Sequence, residues 1–203
     1  MKQFERRLRS EKALLHAASE LIDEVGCSKT TLSMIMNRTG LSKGAIYHYI
    51  KSKDDLLAMV LEEKIQETNE TFLKRMGSSG EDMMDPANVL AESFSAMNDP
   101  SGIVNQILLY FTGRNDTKTA RNALRAFDHY MVEFSRFWIL SGQKNGVISS
   151  GVDAGQTAEV LVVMASGLRM RNIHGGSDYV FEFEQFHAMM KRLFKGEPVL
   201  VHK

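Results

Sequence analysis

The chain has 203 residues, 43% of them hydrophobic and 25% charged, and its 25 Lys and Arg balance its 25 Asp and Glu to a formal net charge of zero. That composition is of a globular soluble protein, and no run of eighteen apolar residues is present to span a membrane as a helix. Neutrality argues by itself against a nucleic-acid binder, but it averages an asymmetry. Residues 1–55 hold ten Lys and Arg against seven Asp and Glu, and residues 56–203 hold fifteen against eighteen. A phosphate responds to charges within a Debye length of roughly 8 Å, so local sign outweighs the total. The opening MKQFERRLRSEKALL is too charged for a signal peptide, and the lone Cys27 has no internal disulfide partner. Both fit a reducing cytoplasm.

In chain order, Ala13, Leu14, Ala17, Ala18, Leu21, Ile22 and Val25 recur at three- and four-residue steps, which makes one apolar face of a helix that Gly26 ends. Thr30 or Thr31 caps a second helix, with Leu32, Ile35 and Met36 turned inward. Gly40 tolerates the left-handed backbone of a sharp turn, and Ser42 caps a short third helix. At about 100° per residue, Ile46 and Ile50 point to the core. Gly44, Tyr47, His48 and Lys51 then fall on the opposite side, flanked by Lys43 and Ala45. A fourth helix starts near Lys53 and runs to about Met76. The segment GSSGEDMMDP at 77–86 reads as a loop, and helices are expected at about 87–98, 102–112, 117–143, 154–172 and 180–195 between turn-rich breaks. No stretch alternates long enough for a sheet. The expected fold class is all-α with about nine helices. A helix-turn-helix domain is expected over 1–55 and a helical ligand-binding and dimerisation domain over 56–203.

The third helix is the unusual element. A helix entering the major groove of DNA needs small residues where its backbone nears the base edges, and Gly44 and Ala45 meet that need. It also needs donors at its rim for phosphates, which Tyr47, His48, Tyr49 and Lys53 supply, together with Thr30, Thr31 and Ser42 at the two helix starts. Phosphate contacts set register, whereas Lys43 and Ala45 would carry sequence preference. The competing reading is a plain structural helix hairpin whose tyrosine and histidine are ordinary surface residues.

The span Leu14–Leu57 resembles the DNA-binding region of the TetR family of transcriptional regulators. The resemblance rests on Ala17-Ala18, Leu21, Gly26, Thr30-Thr31-Leu32, Ile35, Gly40-Leu41-Ser42-Lys43-Gly44, Ile46-Tyr47-His48-Tyr49 and Lys51-Ser52-Lys53-Asp54-Asp55-Leu56-Leu57. It covers about a quarter of the chain. The resemblance implies a homodimer, usually a repressor, that binds a palindromic operator in double-stranded DNA and lets go when a small effector binds the C-terminal helices. By position it implies phosphate contacts from Thr31, Tyr47, Tyr49 and Lys53, and groove contacts from Lys43, Gly44, Ala45 and His48. Cys27, Ile50 and Met36 depart from the family pattern, all at inward sites.

Beyond this region the aromatic and methionine residues Phe94, Met97, Tyr110, Phe111, Phe127, Tyr130, Met131, Phe134, Phe137 and Trp138 are either simple core or the lining of an apolar pocket for a hydrophobic or amphipathic small molecule. Val160, Leu161, Met164 and Leu168 form one apolar stripe, and Phe183, Phe186, Met190 and Leu193 form another. Both are expected at a four-helix dimer interface, against the reading that they close the monomer core. Arg169 and Arg171 are expected to pair with acids at the surface or across a dimer, or else to hold an anionic ligand. Glu184 and His187 share a helical face, but one such pair without converging ligands reads as a surface pair, so no metal or other cofactor is expected. No catalytic constellation converges, so an enzyme is disfavoured. A constitutive DNA-binding protein without an effector is the nearer alternative.

Overall fold

The computed structural model describes residues 2–76, 99–174, 181 and 183–197. These residues form eight helices: α1 Lys2–Lys29, α2 Leu32–Thr39, α3 Lys43–Tyr47, α4 Lys53–Met76, α5 Ile103–Thr112, α6 Lys118–Lys144, α7 Ala154–His174 and α8 Phe183–Phe194. The fold is all-α, as the periodicities require. The helix expected at 87–98 and the loop expected at 77–86 lie outside the described residues. The chain packs as two units, one of residues 1–71 with 101–125 and the other of 72–100 with 126–203. Residues 101–125 therefore cluster with the N-terminal helices, beyond the boundary at residue 55 that the composition suggests.

In the first unit, α2 and α5 both pack on α1. Leu14, Ala18, Ile22, Ile35, Ile46, Leu56, Val60, Ile107 and Phe111 are buried together in its interior. Each of these side chains larger than alanine contributes about 1.5–3 kcal/mol when taken out of water. The backbone of α1 breaks at Gly26, whose φ of 82° lies in the left-handed region. Thr30 closes that break from below. Its backbone N–H and its hydroxyl both donate to the Gly26 carbonyl, at 3.1 and 2.9 Å. The Arg38 fork grips the Glu24 carboxylate with two bonds of 2.7 Å, which fastens α2 to α1 and holds the Glu24 carboxyl below its usual range.

In the second unit, Trp138, Ile139, Ile148, Val152, Leu161, Ala165, Leu168, Phe186, Met190 and Phe194 make the core. Trp138 and Phe194 meet edge to face at 5.1 Å between ring centroids. This corrects two expectations. Leu161, Leu168, Phe186 and Met190 are at most 7% exposed within a single chain, so they close the monomer core and are not offered to a partner. Met164 and Leu193 also pack against this core, and the Phe183 side chain lies outside the described residues. Of the expected interface only Val160 is openly exposed, joined by Val163 three residues on, at 47% and 71%. Trp138 is likewise a core residue and not a pocket wall.

Candidate nucleic-acid interface

The segment from Thr31 to Asp55 is built by local hydrogen bonds that its residue types dictate. The Thr31 hydroxyl oxygen accepts from the Met34 N–H at 3.2 Å and caps α2. Gly40 ends that helix in the left-handed conformation, φ 67°, with its N–H on the Met36 carbonyl at 2.9 Å. Two residues on, the Ser42 hydroxyl accepts from the Ala45 N–H at 3.2 Å and starts α3. Ser52 accepts from the Asp55 N–H at 3.1 Å while the Asp55 carboxylate accepts from the Lys51 N–H at 3.0 Å, so α4 is capped from both sides.

These caps fix the phase of α3. Ile46 and Ile50 are 1% and 2% exposed. Lys43, Gly44, Tyr47 and His48 are exposed and Ala45 partly so. A Cβ placed on Gly44 would meet no atom within 4 Å, so the backbone there faces open space. The Lys43 ammonium hovers 5.8 Å from the Tyr47 ring, and His48 meets Tyr49 edge to face at 5.5 Å. No Asp or Glu occurs between Thr30 and Lys53, so nothing on this stretch repels a phosphate.

Three of the expected contact residues are placed differently. Thr30 is 1% exposed with its hydroxyl committed to Gly26, so it is an internal latch and not a surface donor. The two adjacent threonines look alike in sequence, but only Thr31 precedes the first helical turn in capping phase. The Tyr49 hydroxyl donates to the Arg7 carbonyl at 3.3 Å and ties the end of α3 to the start of α1. Lys53 donates to the Ser28 carbonyl at 3.0 Å and lies 4.9 Å over the Tyr110 ring; half-burial pushes its pKa down.

Lys53 belongs to a cluster that the sequence does not announce. Asp54, only 7% exposed, accepts from the Tyr110 hydroxyl at 3.0 Å and from Arg114 Nε at 3.3 Å. Arg114 also stands 5.5 Å from the Tyr110 ring, so two cations flank that ring. Burial, then the bond to Asp54, raises the Tyr110 pKa. Asp55 in turn accepts from the Thr119 hydroxyl at 3.1 Å. α4, the helix that follows α3, is thus bolted to α5 and to the start of α6. A K-D-D run signals only a helix start, so its long-range partners were not legible. Tyr110 and the fully buried Phe111 serve this first unit, which removes both from the expected effector pocket. Phe94 and Met97 lie outside the described residues.

Residues 14–60 match the sequence profile of the bacterial regulatory proteins of the tetR family. The matched region is that of the TetR family. The BetI regulator of Stenotrophomonas maltophilia (strain R551-3) is 26% identical over 129 residues, covering 61% of this chain and 66% of that protein, just under two thirds. A TetR transcription regulator from Haloarcula marismortui superposes with a TM-score of 0.67 at 20% identity, over 93% of this chain and 98% of that one. RolR in complex with resorcinol superposes at 0.65 and 17% identity, over 96% and 91%. At these identities the superpositions show the shared fold.

Within the matched region the departures at Cys27 and Ile50 are core substitutions, 4% and 2% exposed, while Met36 is partly buried. Cys27 adjoins a cleft of about 460 Å³ between residues 25–29 and Gln106, Leu109, Tyr110, Gly113 and Arg114. Burial pushes its thiol pKa up to about 11, against the pull of the Lys53 charge, so the sulfur stays protonated and unreactive at neutral pH. Among the described residues no three His, Cys, Asp or Glu side chains converge on a metal-sized site, and no helix is long and apolar enough to cross a membrane.

Proposed function

We propose that this protein is a ligand-responsive transcriptional repressor that binds a palindromic operator as a homodimer and is released by a small hydrophobic or amphipathic effector. The exposed face of α3 carries the reading. Gly44 and Ala45 let the backbone approach base edges, Lys43 and His48 reach into the groove, and Thr31, Ser42 and Tyr47 meet phosphates. Tyr49 and Lys53 hold the reading helix in place, with phosphate contact left to the Lys53 protons that Ser28 does not use. Val160, Val163 and Gly167 lie on one exposed side of α7 and form the strip along which the twin subunit packs. Phe127, Tyr130, Met131 and Phe134 on α6 supply the effector wall; that a small molecule binds such a fold is supported by RolR, solved in complex with resorcinol.

Release follows if the effector binds more tightly to an arrangement of the two heads that does not match the operator. The test is selection of bound duplexes from a random pool, followed by a screen for compounds that abolish the binding. Recovery of an inverted repeat with half-sites about one helical turn apart is the expected result. Failure to enrich any duplex at low ionic strength would sink the proposal.

A further inference from the structure

Among the described residues of the second unit, Arg169 carries a buried polar group that the fold leaves unanswered. It sits on α7 between the core residues Ala165 and Leu168 and the partly buried Ile173, and it is itself 7% exposed. Surface pairing, one of the expectations for this residue, is therefore ruled out. Its guanidinium carbon lies 5.3 Å from the centroid of the Phe127 ring, which is also buried. Its Nε is buried and has no hydrogen-bond partner. No described carboxylate approaches it, and burial alone lowers its pKa.

A guanidinium taken out of water without a counter-charge loses its hydration and gains little in return. A buried lysine or histidine can discharge itself by releasing a proton, but arginine keeps its charge. Phe127 covers one face of the group, and the buried Nε–H is the part still needing an acceptor. We infer that Arg169 is the anion-holding group of the effector site and that the effector is a small organic carboxylate with an apolar, ring-sized body. This deepens the regulator reading and rests on it.

The class of ligand follows from three observations. A planar fork matches the two oxygens of a carboxylate. The other arginine nearby on α7, Arg171, is turned to the Phe181 carbonyl at 2.6 Å, so among the described residues Arg169 is the cation left for a ligand, and a monoanion suits it better than a phosphate. Phe127, Tyr130 and Phe134 follow one another at positions i, i+3 and i+7 along one side of α6, with the last two rings nearly parallel at 6.0 Å. They give the apolar body of the ligand an aromatic wall.

The experiment measures thermal unfolding of the full chain with matched acids and amides: benzoate against benzamide, phenylacetate against phenylacetamide, octanoate against octanamide. At least one acid is expected to raise the melting temperature where its amide does not. Arg169→Met is expected to bind that acid at least tenfold more weakly, and Arg169→Lys to fall between. Without any acid, Arg169→Met should melt at or above the wild-type temperature, because it removes an uncompensated charge. Equal shifts from acid and amide, no shift from any acid, or a shift retained in Arg169→Met overturns the inference. So does a ligand-free Arg169→Met that melts well below wild type, since an acceptor within the chain would then already hold the guanidinium. Release of operator DNA by the amides but not the acids overturns this inference and leaves the regulator reading standing. An Arg169-dependent acid shift in a protein that binds no duplex supports it and defeats the regulator reading.

Discussion

Single atoms decide the reading face. A side chain added at Gly44 meets nothing within 4 Å in the free protein, so Gly44→Leu costs no folding stability, yet it stands between the helix and the base edges. We expect Gly44→Leu to melt like the wild type and to lose at least about tenfold in operator affinity, ~1.4 kcal/mol. Melting curves and fluorescence anisotropy on a selected duplex check the two halves separately. The Lys43 side chain approaches the Tyr47 ring and bonds to no other described residue, so its ammonium is available to a guanine edge. Lys43→Met should relax preference at one position of each half-site by about 1–3 kcal/mol. An unchanged preference, with a salt slope reduced by about one, would move Lys43 to the phosphates instead. Cys27 behaves oppositely, as a thiol shut in by its fold. With its pKa raised from 9.0 to about 11, the thiolate population at pH 8 falls about 100-fold relative to the unfolded chain. Native protein should therefore react with a disulfide reagent at least that much more slowly than urea-unfolded protein; comparable rates would mean the thiol is open.

At the scale of elements, the helices were legible because their apolar residues repeat at three- and four-residue steps and their ends carry threonine, serine and glycine. Ser42, Gly40 and Gly26 do in the structure what their types suggest in the sequence. Which face of a helix turns inward was legible for α3, where apolar and polar residues alternate in helical phase. It was not legible for α7, where Val160, Leu161, Val162, Val163 and Met164 run together and periodicity has no phase to report. Burial separates them, with Leu161 at 3% and Val163 at 71%. Aromatic composition likewise could not say that Tyr110 belongs with Asp54, because contacts between residues 56 positions apart leave no local pattern. Those long-range bonds have a measurable worth. Asp54→Ala strands Tyr110 and Arg114 beside a half-buried site, and should cost about 1–3 kcal/mol of unfolding free energy. A double-mutant cycle with Tyr110→Phe should return a coupling of about 0.5–3 kcal/mol in urea titrations. A coupling near zero would show that the bond does not clamp α4 to α5.

At the scale of the whole molecule, one reading head is too small to hold an operator alone. α3 spans five residues and offers a handful of contacts, so the proposed dimer would gain affinity from two heads bound to one duplex, which can multiply binding by about 10²–10⁴ without any new contact. The proposed twin would then be held by a surface that the monomer core does not use. With Leu161, Leu168, Phe186 and Met190 committed inward, the side of α7 bearing Val160, Val163 and the open Gly167 is the candidate. Val163→Arg tests it without touching the core, since a side chain 71% exposed in the monomer can carry a charge there at little cost. Placed between two α7 helices, the same charge is desolvated and faces its own copy. The variant should sediment as a monomer and keep its helical content. It should bind a duplex carrying both half-sites at least about 100-fold more weakly than wild type, and a duplex with one half-site equally well. A variant that stays dimeric would shift the interface to the other exposed apolar side of the second unit, where Phe137 and Leu140 of α6 stand 55% and 47% exposed.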